Sequence, residues 1–200
     1  MQANVSSLPL SGKFQAVHEF MAMDSSERAY PAKYESSFRL KDSRCVFLRP
    51  IRSTDGDLLR DLFHRLSPES VQKRFMTLLR DLPEDMLFRF THVDYQKYFA
   101  LVAIVRDEGK DSIVAVGRYG LDPQENATDF AVVVRDDYQG NGLGSYLLRK
   151  ILEIGRGNGI ARFATLIDVE NRVMKSILGR LSYKVRFSPR GPVIKAEISF

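Results

Sequence analysis

The sequence predicts an α+β fold: a mixed, mostly antiparallel sheet flanked by helices, with one β-α-β insertion. Three observations predict it. Apolar residues recur at helical spacing between residues 55 and 90, then in alternating or continuous runs between 98 and 134. The strands of that second stretch are joined by short polar turns, as hairpins are, and not by crossover helices. Finally, the run Thr128–Val134 passes through a glycine-rich turn into an amphipathic helix and another strand.

The elements follow in order. Residues 1–30 stand apart as an N-terminal extension. Ser6–Gly12 reads as loop, and Phe14, Val17, Phe20 and Met21 have the spacing of a short helix. Ser36–Ile51 reads as a strand or hairpin turning at Lys41-Asp42-Ser43, with Cys45 as a small core residue. A helix is expected from Asp55 to Leu66, with Leu58, Leu59, Leu62, Phe63 and Leu66 inward and His64 half-buried. Ser67-Pro68-Glu69-Ser70 supplies an N-cap serine, a proline at the first helical position and an acidic first turn. The helix it starts is expected to reach about Arg80, carrying Val71, Phe75 and Leu79 inward. A third helix runs from near Pro83 to Phe90. Strands Tyr98–Val105, Ile113–Leu121 and Thr128–Val134 come next, turning at 107–110 and 122–126. Helix Gly142–Arg156 stops at Gly157-Asn158-Gly159. Strand Ala161–Ile167, helix Asn171–Leu181 and a closing pair, Tyr183–Phe187 and Val193–Phe200, complete the chain.

Composition narrows the function classes. Two hundred residues suffice for one domain with a full core, here 31–200. A net charge of +5 would help to attract an anionic ligand, but no basic run or basic–aromatic stripe points to nucleic acid. Nothing resembles a signal peptide or a membrane span, so a cytoplasmic location and no membrane partner are expected. One cysteine and three scattered histidines exclude a disulfide within the chain and leave no metal site.

The glycine turn Gln139-Gly140-Asn141-Gly142-Leu143-Gly144 carries the most chemistry. It leaves backbone N–H groups pointing outward at a positive helix end, which suits a diphosphate. A dinucleotide-binding turn fits poorly, although Asp168 ends the next strand. Ser145 stands in place of the third fingerprint glycine, five residues separate the strand from Gly140, and hairpin-like turns precede it. The lysine-bearing phosphate loop of NTPases has no counterpart. A merely shape-setting turn would need no three glycines in five residues at a helix start.

The same segment fits the Gln/Arg-x-x-Gly-x-Gly/Ala pattern of GNAT acetyltransferases, with Gln139, Gly142 and Gly144 on the fixed positions. Further runs resemble the acetyltransferase domain of bacterial Pat-type protein lysine acetyltransferases: Tyr30-Pro31, Phe47-Leu48-Arg49-Pro50-Ile51-Arg52, Leu66-Ser67-Pro68-Glu69-Ser70 with Arg74-Phe75, and Thr91-His92-Val93-Asp94-Tyr95. The resemblance implies a GNAT fold with strands splayed at the cofactor site. It implies acetyl-CoA as co-substrate, and a protein acceptor such as an acyl-CoA synthetase. The pantetheine arm would bond backbone groups of Val132, Val133 and Val134. Amides of Gln139, Gly140, Asn141, Gly142, Leu143, Gly144 and Ser145 would hold the pyrophosphate, with Asn171 near the thiol end. The chain would be a stand-alone version of the module, monomeric or homodimeric.

Acetyl transfer to a lysine needs a base, because an amine of pKa about 10.4 is nearly all ammonium at neutral pH. Asp129 is the candidate, where Pat-type enzymes resemble one another in carrying a glutamate. One methylene shorter, it suits a base acting through water. The Val134 amide is the candidate oxyanion donor by the same resemblance. The tyrosine that many GNAT enzymes use as general acid is replaced by Leu178, and Tyr183 is expected to pack. Ser67, Arg74, His92 and Asp94 are the substrate-side candidates. Two alternatives stay open: acetylation of small amines, and a silent acyl-CoA-binding module.

Overall fold

The computed structural model describes residues 29–200 apart from 78, 108 and 123–126. The expected helix around Phe14–Met21 and the turn at 123–126 lie outside the described residues. Strands β1 (Ser36–Arg39), β2 (Cys45–Pro50), β3 (Tyr98–Asp107), β4 (Lys110–Asp122), β5 (Ala127–Val134), β6 (Arg162–Asp168), β7 (Lys184–Arg190) and β8 (Val193–Ser199) form one sheet. Its order is β1-β2-β3-β4-β5-β6-β8-β7.

Helices α1 (Gly56–His64), α2 (Pro68–Phe75) and α3 (Glu84–Thr91) cover one face of this sheet. Helices α4 (Leu143–Gly157) and α5 (Arg172–Gly179) cover the other. Each apolar stripe has a matching layer: Leu59, Leu62 and Phe63 meet Val102 and Val116, while Leu147, Leu148 and Ile151 meet Leu101 and Tyr119. Fully burying one such aliphatic side chain is worth about 1.5–3 kcal/mol. Strand β3 is sandwiched between the layers, which is why Phe99-Ala100-Leu101-Val102-Ala103 is apolar without alternation.

Every neighbouring pair of strands is antiparallel except β5 and β6. That parallel pair is joined at one register position, Thr128 with Phe163. β5 pairs along its whole length with β4, and β6 along its whole length with β8. The two strands therefore part from Asp129 onward and leave a V-shaped gap inside the sheet.

Three local expectations need correction. Helix α2 stops at Phe75, not near Arg80, because Met76 takes a left-handed conformation (φ 58°) at its C-cap. Cys45 is exposed: strand β2 alternates, and Val46 and Leu48 take the inward positions. His64 is exposed as well, facing Asp81 at 3.2 Å. The Arg-Pro-Ile-Arg run has a structural part. Arg49 grips Asp55 with two 2.7 Å bonds in the core, and Asp55 also accepts the Arg52 amide, which ties β2 to the start of α1.

Candidate active site

The donor side of the site begins with the parting of β5 and β6. In an antiparallel ladder, alternate residues turn both backbone groups toward the partner strand. The Arg135 amide donates to the Val114 carbonyl, so with the observed register Val133, Ala131 and Asp129 point theirs at β4. Phe130, Val132 and Val134 point theirs into the gap. Of the three valines expected at the cofactor, Val132 and Val134 thus have backbone facing the opening, whereas Val133 turns its side chain to the α1–α3 face. Phe130, whose backbone shares the open edge nearest Asp129, escaped sequence reading. Counting the ladder phase from a hydrogen-bonded residue finds it.

The loop from Arg135 to Gly142 is held from several directions. Arg135 forks onto Asp137 at 2.7 and 2.9 Å, and Tyr138 lies under both Arg44 (4.0 Å) and Arg135 (4.9 Å). Arg44 donates to the Asp137 carbonyl, and the Lys41 amide to that of Asn141. Asp136 accepts from the Ser67 amide (3.0 Å) and from the hydroxyls of Ser67 (2.8 Å) and Ser70 (2.9 Å). Burial alone would raise the Asp136 carboxyl, but those hydrogen bonds hold it below its ordinary value. The Gln139 amide group donates to the Val134 carbonyl (3.0 Å) and to Ser70 Oγ (3.1 Å).

Gly140 (φ 73°) and Gly142 (φ 86°) then turn the chain through the left-handed region into α4. No side chain caps α4, and its first main-chain bond runs from Tyr146 N to the Gly142 carbonyl. The amides of Leu143, Gly144 and Ser145 are left at the positive helix end. A Cβ on Gly144 would come 3.4 Å from the Val134 side chain, so the loop sits close against the gap. These features fit a thioester of coenzyme A. The loop offers amides to a diphosphate, and the open edge offers donors and acceptors to an extended amide arm.

A second cluster, the candidate acceptor side, lies on the face covered by α1–α3. Asp129 is opposite Gly120 in the ladder, two positions along from Arg118, and shares that strand face with it. Arg74, from the last turn of α2, and Arg118 are both attracted to Asp129. Burial is the largest influence lowering Arg74. Burial and then the neighbouring Arg74 push Arg118 down to about 9, still charged at neutral pH. Arg118 stacks on Phe90 at 3.9 Å. Both arginines line a pocket whose remaining wall is apolar and includes Leu62, Phe63, Phe90 and Val133.

The other substrate-side candidates sit apart from this cluster. Ser67 caps α2 by accepting from the Ser70 amide and braces Asp136. His92 caps α3, with Nδ1 3.1 Å from the Phe88 carbonyl and its ring stacked on Phe88. Asp94 Oδ1 accepts from the amides of Gln96 and Tyr98 in the turn before β3. Asn171 caps α5 by accepting from the Met174 amide. Leu178 is buried, and Tyr183 packs edge-on against Phe200. Among the described residues no group of side chains could hold a metal ion, and no helix is long and apolar enough to cross a membrane.

Residues 57–178 match the family model of the acetyltransferase (GNAT) family. The chain belongs to that family. It is therefore an acetyltransferase that uses acetyl-CoA. An acetyltransferase of Pseudomonas aeruginosa is 32% identical over 144 residues, covering 72% of this chain and 77% of its relative. The acetyltransferase Pat of Mycolicibacterium smegmatis is 30% identical over 147 residues, again covering 72% of this chain. The match spans only 42% of that longer protein. Among solved structures, the GNAT domain of S. lividans PAT superposes with a TM-score of 0.77 at 28% identity, covering 86% of this chain and 99% of that one. The yncA protein of Salmonella typhimurium, solved with its cofactor acetyl-CoA, shares the fold at a TM-score of 0.61 and 15% identity.

Proposed function

We propose that this GNAT enzyme acetylates lysine side chains of a protein acceptor, with Asp129 as the base. The observation that carries the reading is the position of Asp129. It is the first residue beyond the last β5–β6 pair, with backbone in the sheet that flanks the gap and side chain on the arginine-lined face. A carboxylate there joins the donor opening to the acceptor pocket. The Pat-like runs and the two Pat relatives support a protein acceptor such as an acyl-CoA synthetase.

Acetyl-CoA supplies the activated acyl group, and the chain's own groups do the rest. Asp129 takes a proton from the acceptor ammonium, directly or through one water, so that the amine can attack. The N–H groups of Phe130, Val132 and Val134 line the edge along which the donor lies. Val134 remains the proposed oxyanion donor, its carbonyl being already taken by Gln139. The fixed amides from Gly140 to Ser145, with Asn171 at the start of α5, hold the donor in place; the Gln139 amide, expected among them, is already given to the Asp136 carbonyl (3.2 Å). No side-chain acid is assigned to the leaving thiolate, which protonates from water.

The test is incubation of the chain with acetyl-CoA and a panel of acyl-CoA synthetases, with acetyl-lysine mapped by mass spectrometry beside an Asp129→Asn control. Site-specific acetylation lost in the control is expected. Thiol release on free amines alone would replace the protein acceptor by a small one. No release at all would leave an acyl-CoA-binding module.

A further inference from the structure

The acceptor pocket holds more positive charge than the described residues answer. Arg74 and Arg118 lie close enough to repel one another, and Asp129 is the carboxylate attracted to both. Among the described residues neither guanidinium has a hydrogen bond or ion pair; their contacts are with aromatic rings. Arg118 lies 3.9 Å from the Phe90 ring centre, and Arg74 is 5.0 Å from Phe75 and 6.0 Å from Phe90. A guanidinium stacked on a ring has its face covered and its N–H edge free. That edge is the part that forks a carboxylate. The rest of the pocket wall is apolar, so the cations cannot be solvated as they would be on an open surface.

The pair is not built like the arginines that the fold buries, for Arg74 and Arg118 stay partly exposed. Where this chain needs a buried arginine for its fold, it provides a bidentate carboxylate, as for Arg49 with Asp55 and Arg135 with Asp137. Arg74 and Arg118 come from different elements, α2 and β4, and converge without one. The diphosphate-fitting amides are no substitute partner, because they open at the α4 end of the loop while the arginines face α1–α3.

We infer that Arg74 and Arg118 form a carboxylate-binding subsite, so that the preferred acceptor presents its amine together with a nearby anionic group. The inference rests on the reading of Asp129 as the acceptor-amine end of this pocket. In a protein acceptor the anion is an Asp or Glu close to the target lysine; in a small acceptor it is the molecule's own carboxylate.

The experiment compares kcat/KM of the full chain at saturating acetyl-CoA for paired acceptors. One pair is a lysine peptide with Glu or Gln beside the lysine; the other is an aminocarboxylic acid and its carboxamide. A charge-assisted fork predicts an acid-to-neutral ratio of about tenfold or more. The ratio should fall toward one in Arg118→Gln and Arg74→Gln and recover in part in Arg118→Lys. Preference within the peptide pair identifies a protein source for the anion, and preference only within the small pair identifies a free carboxylate. Calorimetric binding of the acetylated product peptides, Glu against Gln, with coenzyme A present, is read alongside. If no amine turns over but the Glu product still binds better and Arg118→Gln removes that difference, the lysine reading fails and the subsite stands. Equal turnover and equal binding within both pairs would overturn the subsite, as would a ratio that survives Arg118→Gln.

Discussion

The two halves of the proposed site, donor and acceptor, are made of different material. The donor half is backbone: amides at the start of α4 and the open edge of β5, with surrounding side chains spent on bracing it. Asp136, Asp137, Tyr138 and Gln139 all have partners there. The acceptor half is side chain: Asp129, Arg74 and Arg118 against aromatic and aliphatic walls. Backbone groups are the same whatever the residue, so the donor half demands a chain path and little else. The acceptor half changes its chemistry with every substitution. One half is suited to a donor common to the family and the other to an acceptor particular to this enzyme.

The largest effect should come where the halves meet. Asp129→Asn is expected to lower kcat by about 10²- to 10⁴-fold with little change in the acetyl-CoA KM, the signature of a lost base. A variant that raised the acetyl-CoA KM instead would move Asp129 to the donor half. Arg118→Gln, next in size, should cost about tenfold on acidic acceptors and leave the acetyl-CoA KM in place. Gly142→Ala tests the opposite half. A side chain at φ 86° costs about 1–2 kcal/mol, so the acetyl-CoA KM should rise roughly tenfold without changing the order of preference among acceptors.

The smallest effect is expected at Asp136. Its carboxyl is held below the ordinary 3.8, so the bracing it gives is whole above that value. It is lost as pH falls through the lower folded-state value. Asp136→Asn should therefore reduce stability by a constant amount from pH 5 to 8, and the difference from wild type should shrink below about pH 3.8, read by thermal melts. A difference that grew on acidification would break this account.

What the sequence made legible follows the same division. The donor half could be read because a left-handed turn at a helix start leaves glycines behind, and alternation or helical spacing marked the elements around it. The acceptor half could be read only in part: the family resemblance pointed to Asp129 and Arg74, but not to Arg118, since the three come from β5, α2 and β4 and meet only in the folded chain. Arg118 left one trace, a lone cation in the apolar run Ile113–Leu121, on the strand face it shares with Val116. Ser67 was legible as a helix cap, but its partner Asp136 lies 69 residues away. The early end of α2 had no signal either, because Met76 adopts a conformation usually marked by glycine. Cys45 was misplaced for a simpler reason: its neighbours Val46 and Leu48 already fill the inward positions of a two-residue period.

The single register position between β5 and β6 also makes the one sheet a book of two leaves. One leaf is β1–β5, the other β6–β8, and α4 is the spine, with Leu147 against Gly117 on one leaf and Gly155 against Phe163 on the other. A donor bonded along both inner margins would act as binding thread. Ligand at a hundred times its Kd adds about 2.7 kcal/mol to stability, and here that gain should fall on the opening of the leaves. Amide hydrogen exchange should slow most along β6 when coenzyme A is added, while β3, enclosed by helices on both faces, should hardly change.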